Sequence, residues 1–184
     1  EGVRRGKTEP AAAERARAAL TATTDLAEAA RADLVIEAVP EDLELKRKVF
    51  GRLDATAAPH TLLASNTSSL SISAIAAATH RPDRVLGLHY FNPAHLMQLV
   101  EIIRGDRTSD NTVAIARGFV ERLGKEPVLC QDSPGFIANR VARPFYGEAF
   151  RLLGENAADH ETIDRLMRSL GFRMGPFELL DLIG

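Results

Sequence analysis

Residues 33–54 read DLVIEAVPEDLELKRKVFGRLD, and two periodicities meet inside them. Residues 33–39 form a short, mostly apolar run rich in β-branched side chains, the pattern of a strand covered on both faces. From Glu41 the spacing changes. Leu43, Val49, Phe50 and Leu53 fall on one side of a helix, while Glu44, Lys46, Arg47 and Arg52 are left for solvent. A strand, a proline turn and an amphipathic helix make the first half of a βαβ unit.

The same alternation continues outward. Residues 61–64 (TLLA) read as a strand that runs into Asn66-Thr67-Ser68-Ser69, and a helix follows over 71–78. Strands are predicted at 85–90 (VLGLHY), 99–104 (LVEIIR) and 127–131 (PVLCQ), with a helix from Asp110 to Leu123 stopped by Gly124. Upstream, 10–20 is an Ala-rich helix with Pro in its first turn, 20–24 a short strand, and Asp25 caps a brief helix ending near Ala30. Strands spaced by helices predict an α/β fold with a parallel sheet. The strand signal stops at Asp132. Ser133-Pro134-Gly135 opens a long helix kinked at Pro144, a second runs over 159–169, and a third opens after Pro176. The expected division is an α/β part, 1–131, and a helical part, 132–184.

Composition excludes several function classes. With 45% hydrophobic and 26% charged residues in 184, the chain is globular. A net charge of −2 provides no basic field for nucleic acid or anionic lipid. The single Cys130 excludes an intramolecular disulfide, and no His pair shows ligand spacing, so no metal site is expected. No apolar run approaches the ~20 residues of a membrane span, and no signal peptide is visible. A reducing, cytoplasmic compartment is the expectation.

In open α/β sheets ligands bind beyond the carboxyl ends of the strands. Three exits carry polar clusters here: 37–41 (EAVPE) leading to Lys46, 66–69 (NTSS), and 89–93 (HYFNP). His89 at a strand end is a candidate general base. Glu101, inside an otherwise apolar strand, is costly unless it finds a partner. Neighbouring strands would let it orient the His89 ring, or the two form only a buried structural hydrogen bond. The 66–69 cluster either caps the next helix or holds a substrate oxygen. Asn139 faces the domain boundary, where it ties the two parts together or reaches into the cleft. Glu41 suits a helix start without any ligand, and Lys46 reads most simply as a solvated face residue. The segment 171–184 (GFRMGPFELLDLIG) reads as core packing or a dimer contact.

In order, DLVIEAVPEDLELK, ASNTSSLSI, GLHYFNPAHLMQLVEII, DSPGFIANR and GFRMGPFELLDLIG strongly resemble the L-3-hydroxyacyl-CoA dehydrogenase family, including its bacterial 3-hydroxybutyryl-CoA members, from about Leu20 to Gly184. The resemblance implies a Rossmann-type sheet followed by an all-α dimerisation domain. It implies NAD-dependent oxidation of the 3-hydroxyl of an acyl-CoA, or the reverse reduction, in fatty-acid metabolism. It places His89 as the base, Glu101 as its carboxylate partner, Ser68 on the substrate oxygen and Asn139 as an active-site amide. Glu41, Lys46, Ser68 and Asn92 match cofactor contacts, and Lys46 is also a candidate CoA contact. A homodimer through the helical domain is implied.

The chain departs from that family's pattern at its start. The only early glycines, Gly2 and Gly6, lie in a charged stretch, and no strand leads into a G-x-G-x-x-G turn. The expectation is therefore an internal segment of a longer enzyme, an incomplete Rossmann-type domain lacking its first βαβ followed by part of the all-α domain, inactive alone. Two other readings of the same framework are a CoA-independent hydroxy-acid dehydrogenase of the lambda-crystallin-like gulonate type and a non-catalytic structural remnant.

Overall fold

The computed structural model describes residues 2–183. Five strands form one sheet in the order β1 (Leu34–Glu37), β2 (Leu62–Ser65), β3 (Val85–Tyr90), β4 (Leu99–Arg104), β5 (Glu126–Gln131). The first three strands are parallel, β4 runs antiparallel to β3, and β5 is parallel to β4. The sheet is therefore mostly parallel, not wholly so. The reason is local: residues 91–98 contain no helix and are too short for a crossover, which takes a dozen or more residues.

Helices cover both faces. α3 (Leu43–Asp54) and α4 (Ile72–Ala76) pack on one face with Leu63, Val85 and Ile103, and α5 (Asp110–Arg122) covers Leu62, Ala64, Leu86, Leu88, Val100 and Ile102 on the other. This two-sided cover explains why β2 and β3 read as continuous apolar runs. Gly87 sits where β3 passes under α4. A Cβ there would stand 2.8 Å from the Ile103 side chain and 3.0 Å from Ile72 Cδ1. Gly87→Ala is expected to cost about 1–3 kcal/mol of stability by overpacking, measured as a lower urea midpoint at unchanged m-value.

Upstream lie α1 (Pro10–Ala18), which buries no residue, and α2 (Leu26–Ala29), capped by the Asp25 carboxylate as its sequence suggested. The strand expected at 20–24 does not form. No strand among the described residues lies beside it, and these exposed positions instead make a turn in which Thr23 Oγ1 accepts from Asp25 N–H. After β5 come α6 (Ala138–Gly154), which continues unbroken through Pro144, α7 (His160–Ser169) and α8 (Pro176–Ile183). Phe145 of α6 stacks at 5.0 Å on Phe172 in the turn after α7, Phe150 of α6 meets Phe177 of α8 edge-on, and His160 of α7 meets the same Phe177 ring at 6.1 Å, so ring contacts link the three helices. Among the described residues no helix is long and apolar enough to cross a membrane.

The long helix starts later than its sequence suggests. Residues 134–137 form a turn in which Gly135 (φ 76°) and Phe136 (φ 48°) are both left-handed. Glycine adopts that region freely; for a phenylalanine it costs about 1–3 kcal/mol. Burial of the Phe136 ring in the core beside the sheet offsets that strain.

Candidate active site

β1, β2 and β3 run parallel, so their carboxyl ends open on one edge of the sheet. His89 and Glu101 meet there by register: they are directly opposed across the antiparallel β3–β4 pair, which puts both side chains on one face. His89 is 4% exposed and Glu101 1%. Glu101 Oε2 lies 2.7 Å from His89 Nδ1, and the acceptor-only carboxylate accepts a hydrogen bond from Nδ1–H. Nε2 is then the unprotonated nitrogen. Ser68 Oγ stands 3.1 Å from it. Phe91 and Phe136 flank the imidazole at centroid distances of 4.5 and 5.8 Å, which fixes the ring plane.

Glu101 has a second task. Its Oε1 accepts from the backbone N–H groups of Ile137 (2.9 Å) and Ala138 (2.8 Å). The left-handed pair Gly135–Phe136 turns those N–H groups toward it. One carboxylate therefore orients the His89 ring and anchors the start of α6. Asn139, one residue into that helix, donates from Nδ2 to the Ser68 carbonyl at 3.2 Å.

Ser68 is thus held from three sides. Its Oγ meets His89, its carbonyl accepts from Asn139, and its N–H donates to Glu41 Oε1 at 3.0 Å. The same Glu41 oxygen accepts from the Thr67 hydroxyl and Ser69 N–H. Partial burial pushes the Glu41 carboxyl up, but those hydrogen bonds and the nearby Lys46 ammonium outweigh it and hold the carboxyl below its ordinary value. The cap of α4 is Ser71, just beyond the 66–69 cluster, whereas Thr67 and Ser68 meet Glu41 and His89. Asn92 lies exposed at the β3 exit, and Asn66 Oδ1 accepts from Tyr90 N–H and binds the β2 and β3 exits together.

Lys46 is not a solvated face residue. It is 1% exposed, with Nζ 2.8 Å from Glu37 Oε1 and 3.4 Å from Glu41 Oε2. Its position among Leu43, Phe50 and Leu53 follows the helical spacing of the buried stripe, a signal that its charge concealed. Glu37 and Thr67 lay within the polar clusters 37–41 and 66–69 without a role of their own, and Phe136 and Asp132 were not singled out for the site.

Asp132 joins the two parts of the chain. It accepts from Ser71 Oγ (2.8 Å), Ile72 N–H (3.0 Å) and Ser73 N–H (2.7 Å) at the start of α4. Burial raises the Asp132 pKa, and these hydrogen bonds outweigh that and lower it overall. A lowered folded pKa stabilises fully above the ordinary carboxylate range and is lost as pH falls through the folded value. Asp132→Asn is expected to cost about 1 kcal/mol near neutral pH, with the difference from wild type shrinking as urea unfolding is repeated at lower pH.

A separate concavity beside α3, lined in part by Gly51, Asp54, His80 and Arg81, is structural. There Asp54 accepts from His80 and Arg81, and Arg81 also donates to the carbonyls of Asp54, Ala57 and Ala58 past the end of α3.

Comparison with known proteins bears on the constellation at the strand exits. Residues 1–133 match the family model described as 3-hydroxyacyl-CoA dehydrogenase, NAD binding domain, and residues 135–184 match that of the C-terminal domain. The chain is 50% identical over 183 residues to the 3-hydroxyadipyl-CoA dehydrogenase of Escherichia coli K12, covering 99% of this chain and 38% of that protein. It is 49% identical to the mitochondrial hydroxyacyl-coenzyme A dehydrogenase of Rattus norvegicus, covering 93% of this chain and 55% of that protein. The crystal structure of (S)-3-hydroxybutyryl-CoA dehydrogenase from Ralstonia eutropha superposes with a TM-score of 0.95 at 40% identity, over the whole of this chain and 65% of that one. The chain spans about half the length of the curated relatives it matches.

Proposed function

The chain belongs to the 3-hydroxyacyl-CoA dehydrogenase family, and on that premise we propose that the natural protein carrying it interconverts an L-3-hydroxyacyl-CoA and its 3-oxo product with NAD. The observation that carries this reading is the buried His89–Glu101 pair with Nε2 turned to Ser68 at the strand exits.

The residues present fit the nicotinamide half of the cofactor. The carbon that loses hydride must lie beside the oxygen that loses its proton, so the ring has to sit next to His89. The rim there carries the exposed Glu41, Ser68 and Asn92, with Lys46 behind Glu41. When bound, NAD supplies a two-electron acceptor for the hydride from C3. His89 Nε2 takes the hydroxyl proton in the oxidative direction and returns it in reduction. Glu101 stabilises the imidazolium that forms, as an orienting carboxylate does beside a catalytic histidine. The Ser68 hydroxyl holds the substrate oxygen toward Nε2. Asn139 brings the helical part to the same loop, which closes the site from that side. In this reading the NAD-binding part ends at 131 and the helical part begins at 132, just after β5. Exposed apolar residues on the helices, among them Val141, Phe150, Leu166 and Leu182, suit the homodimer contact.

The glycine-rich turn that cradles a dinucleotide pyrophosphate does not occur within the 184 residues. The outer edge of β1 is unpaired among the described residues. The 184 residues alone are therefore expected to bind NAD more weakly than micromolar and to turn over little; a micromolar dissociation constant by calorimetry would contradict this.

The experiment for the main reading supplies the natural protein with acetoacetyl-CoA and NADH and follows NADH absorbance. Consumption that needs both is the expected result. No consumption overturns the reading, and equal consumption with a CoA-free 3-oxo acid favours the gulonate-type alternative.

A further inference from the structure

Behind the exposed rim lies a buried polar chain that takes no direct part in the proposed reaction. Glu37 ends β1 and is 4% exposed. Its Oε2 accepts from the Ser65 hydroxyl at 2.7 Å, and its Oε1 accepts from Val39 N–H at 2.5 Å and from the Lys46 ammonium at 2.8 Å. Lys46 also donates to the Val39 carbonyl at 3.1 Å and lies 3.4 Å from Glu41 Oε2. Its ammonium thus faces one carboxylate in the interior and one on the rim. Among the described residues no fully buried side-chain nitrogen or oxygen lacks a partner, so the chain is satisfied throughout.

A lysine and a glutamate withdrawn from water are costly, and they are retained where they fix a geometry. Here the geometry leads outward. The two oxygens of Glu41 face opposite tasks: Oε2 meets Lys46, and Oε1 holds Thr67, Ser68 and Ser69. Without a charge behind it, Glu41 Oε2 would lose its ammonium partner and the carboxylate would be held only by its contacts to the loop. The anchor that Glu41 gives Ser68 would then be less fixed in position. With its partners all within the protein, Lys46 acts on the rim from behind Glu41.

We propose that Glu37 is a positioning residue of this site, holding Ser68 against His89 through Lys46 and Glu41. The proposal rests on the dehydrogenase reading. It adds a residue that neither touches the reacting atoms nor lies on the rim.

The test uses the natural protein with acetoacetyl-CoA and NADH. Glu37→Gln keeps the side-chain shape and leaves Lys46 with one carboxylate. It is expected to lower kcat about 10- to 100-fold, the range seen when a supporting shell or a sub-ångström placement is lost. KM for acetoacetyl-CoA should stay within about threefold, as befits an interaction made in the transition state. Lys46→Met should lose a similar factor. The double variant should lose no more than the worse single, because the two residues act as a unit. Ser65→Ala removes the hydrogen bond to Glu37 together with the longer one that Ser65 Oγ accepts from Thr67 N–H at 3.3 Å, and it keeps every charge, so it serves where the charge variants fail to fold. It should lower kcat several-fold when assayed well below its melting temperature. Wild-type kcat in folded variants, or losses that multiply in the double, would overturn the proposal. A wild-type protein without activity would overturn the dehydrogenase reading itself, and the proposal with it.

Discussion

Replacing His89 with Gln in the natural protein should lower kcat by about 100- to 10,000-fold, the range a positioned acid–base group supplies. The glutamine amide has no group that takes a proton near neutral pH. Yet the glutamine amide is of similar size and keeps a neutral donor and acceptor between Glu101 and Ser68, the two partners of the His89 ring. Cofactor binding should therefore survive. Steady-state kinetics with a parallel NADH titration measures both. A rate within tenfold of wild type would remove His89 from its role.

Replacing Glu101 with Gln should also cost about 100- to 10,000-fold in kcat, for a different reason. The carboxylate accepts on both sides: from His89 Nδ1–H and from the N–H groups of Ile137 and Ala138. An amide has only one accepting end. If its NH2 faces His89, Nδ1 becomes the acceptor and Nε2 carries the proton, the wrong tautomer for a base. If its NH2 faces α6, two donors oppose it and the start of the helix loosens. Either way stability falls by about 2 kcal/mol from lost charge-assisted bonds. A combined loss of rate and melting temperature separates Glu101 from His89, whose replacement should affect mainly rate. Normal turnover in the Glu101 variant would refute its assigned role.

Much of this was legible in the sequence because apolar periodicity dominates it. Residues 85–90 and 99–104 had to be strands, being short, branched and apolar. A histidine near the end of one and a carboxylate inside the other then pointed to each other. The antiparallel turn between them was not inferred from the alternation of strands and helices, though its shortness carried that information. The segment 20–24 has strand propensity but no neighbour to pair with, and pairing is a tertiary fact. Lys46 shows the opposite failure. Its charge suggested solvent, its spacing with Phe50 and Leu53 placed it inside, and the deciding partner, Glu37, comes from another element. The left-handed Phe136 could not be read at all, since only the packing against His89 and the sheet keeps it there.

In the proposed reaction hydride leaves or reaches the carbon whose oxygen His89 serves. Reduction of acetoacetyl-CoA with NADH carrying deuterium at both C4 positions, in the natural protein and in His89→Gln, checks this by mass spectrometry of the product. One deuterium at C3 of 3-hydroxybutyryl-CoA is expected in the wild type, and almost none from the variant in the same time. Turnover that leaves C3 unlabelled, or label transferred at the wild-type rate by the variant, would contradict it.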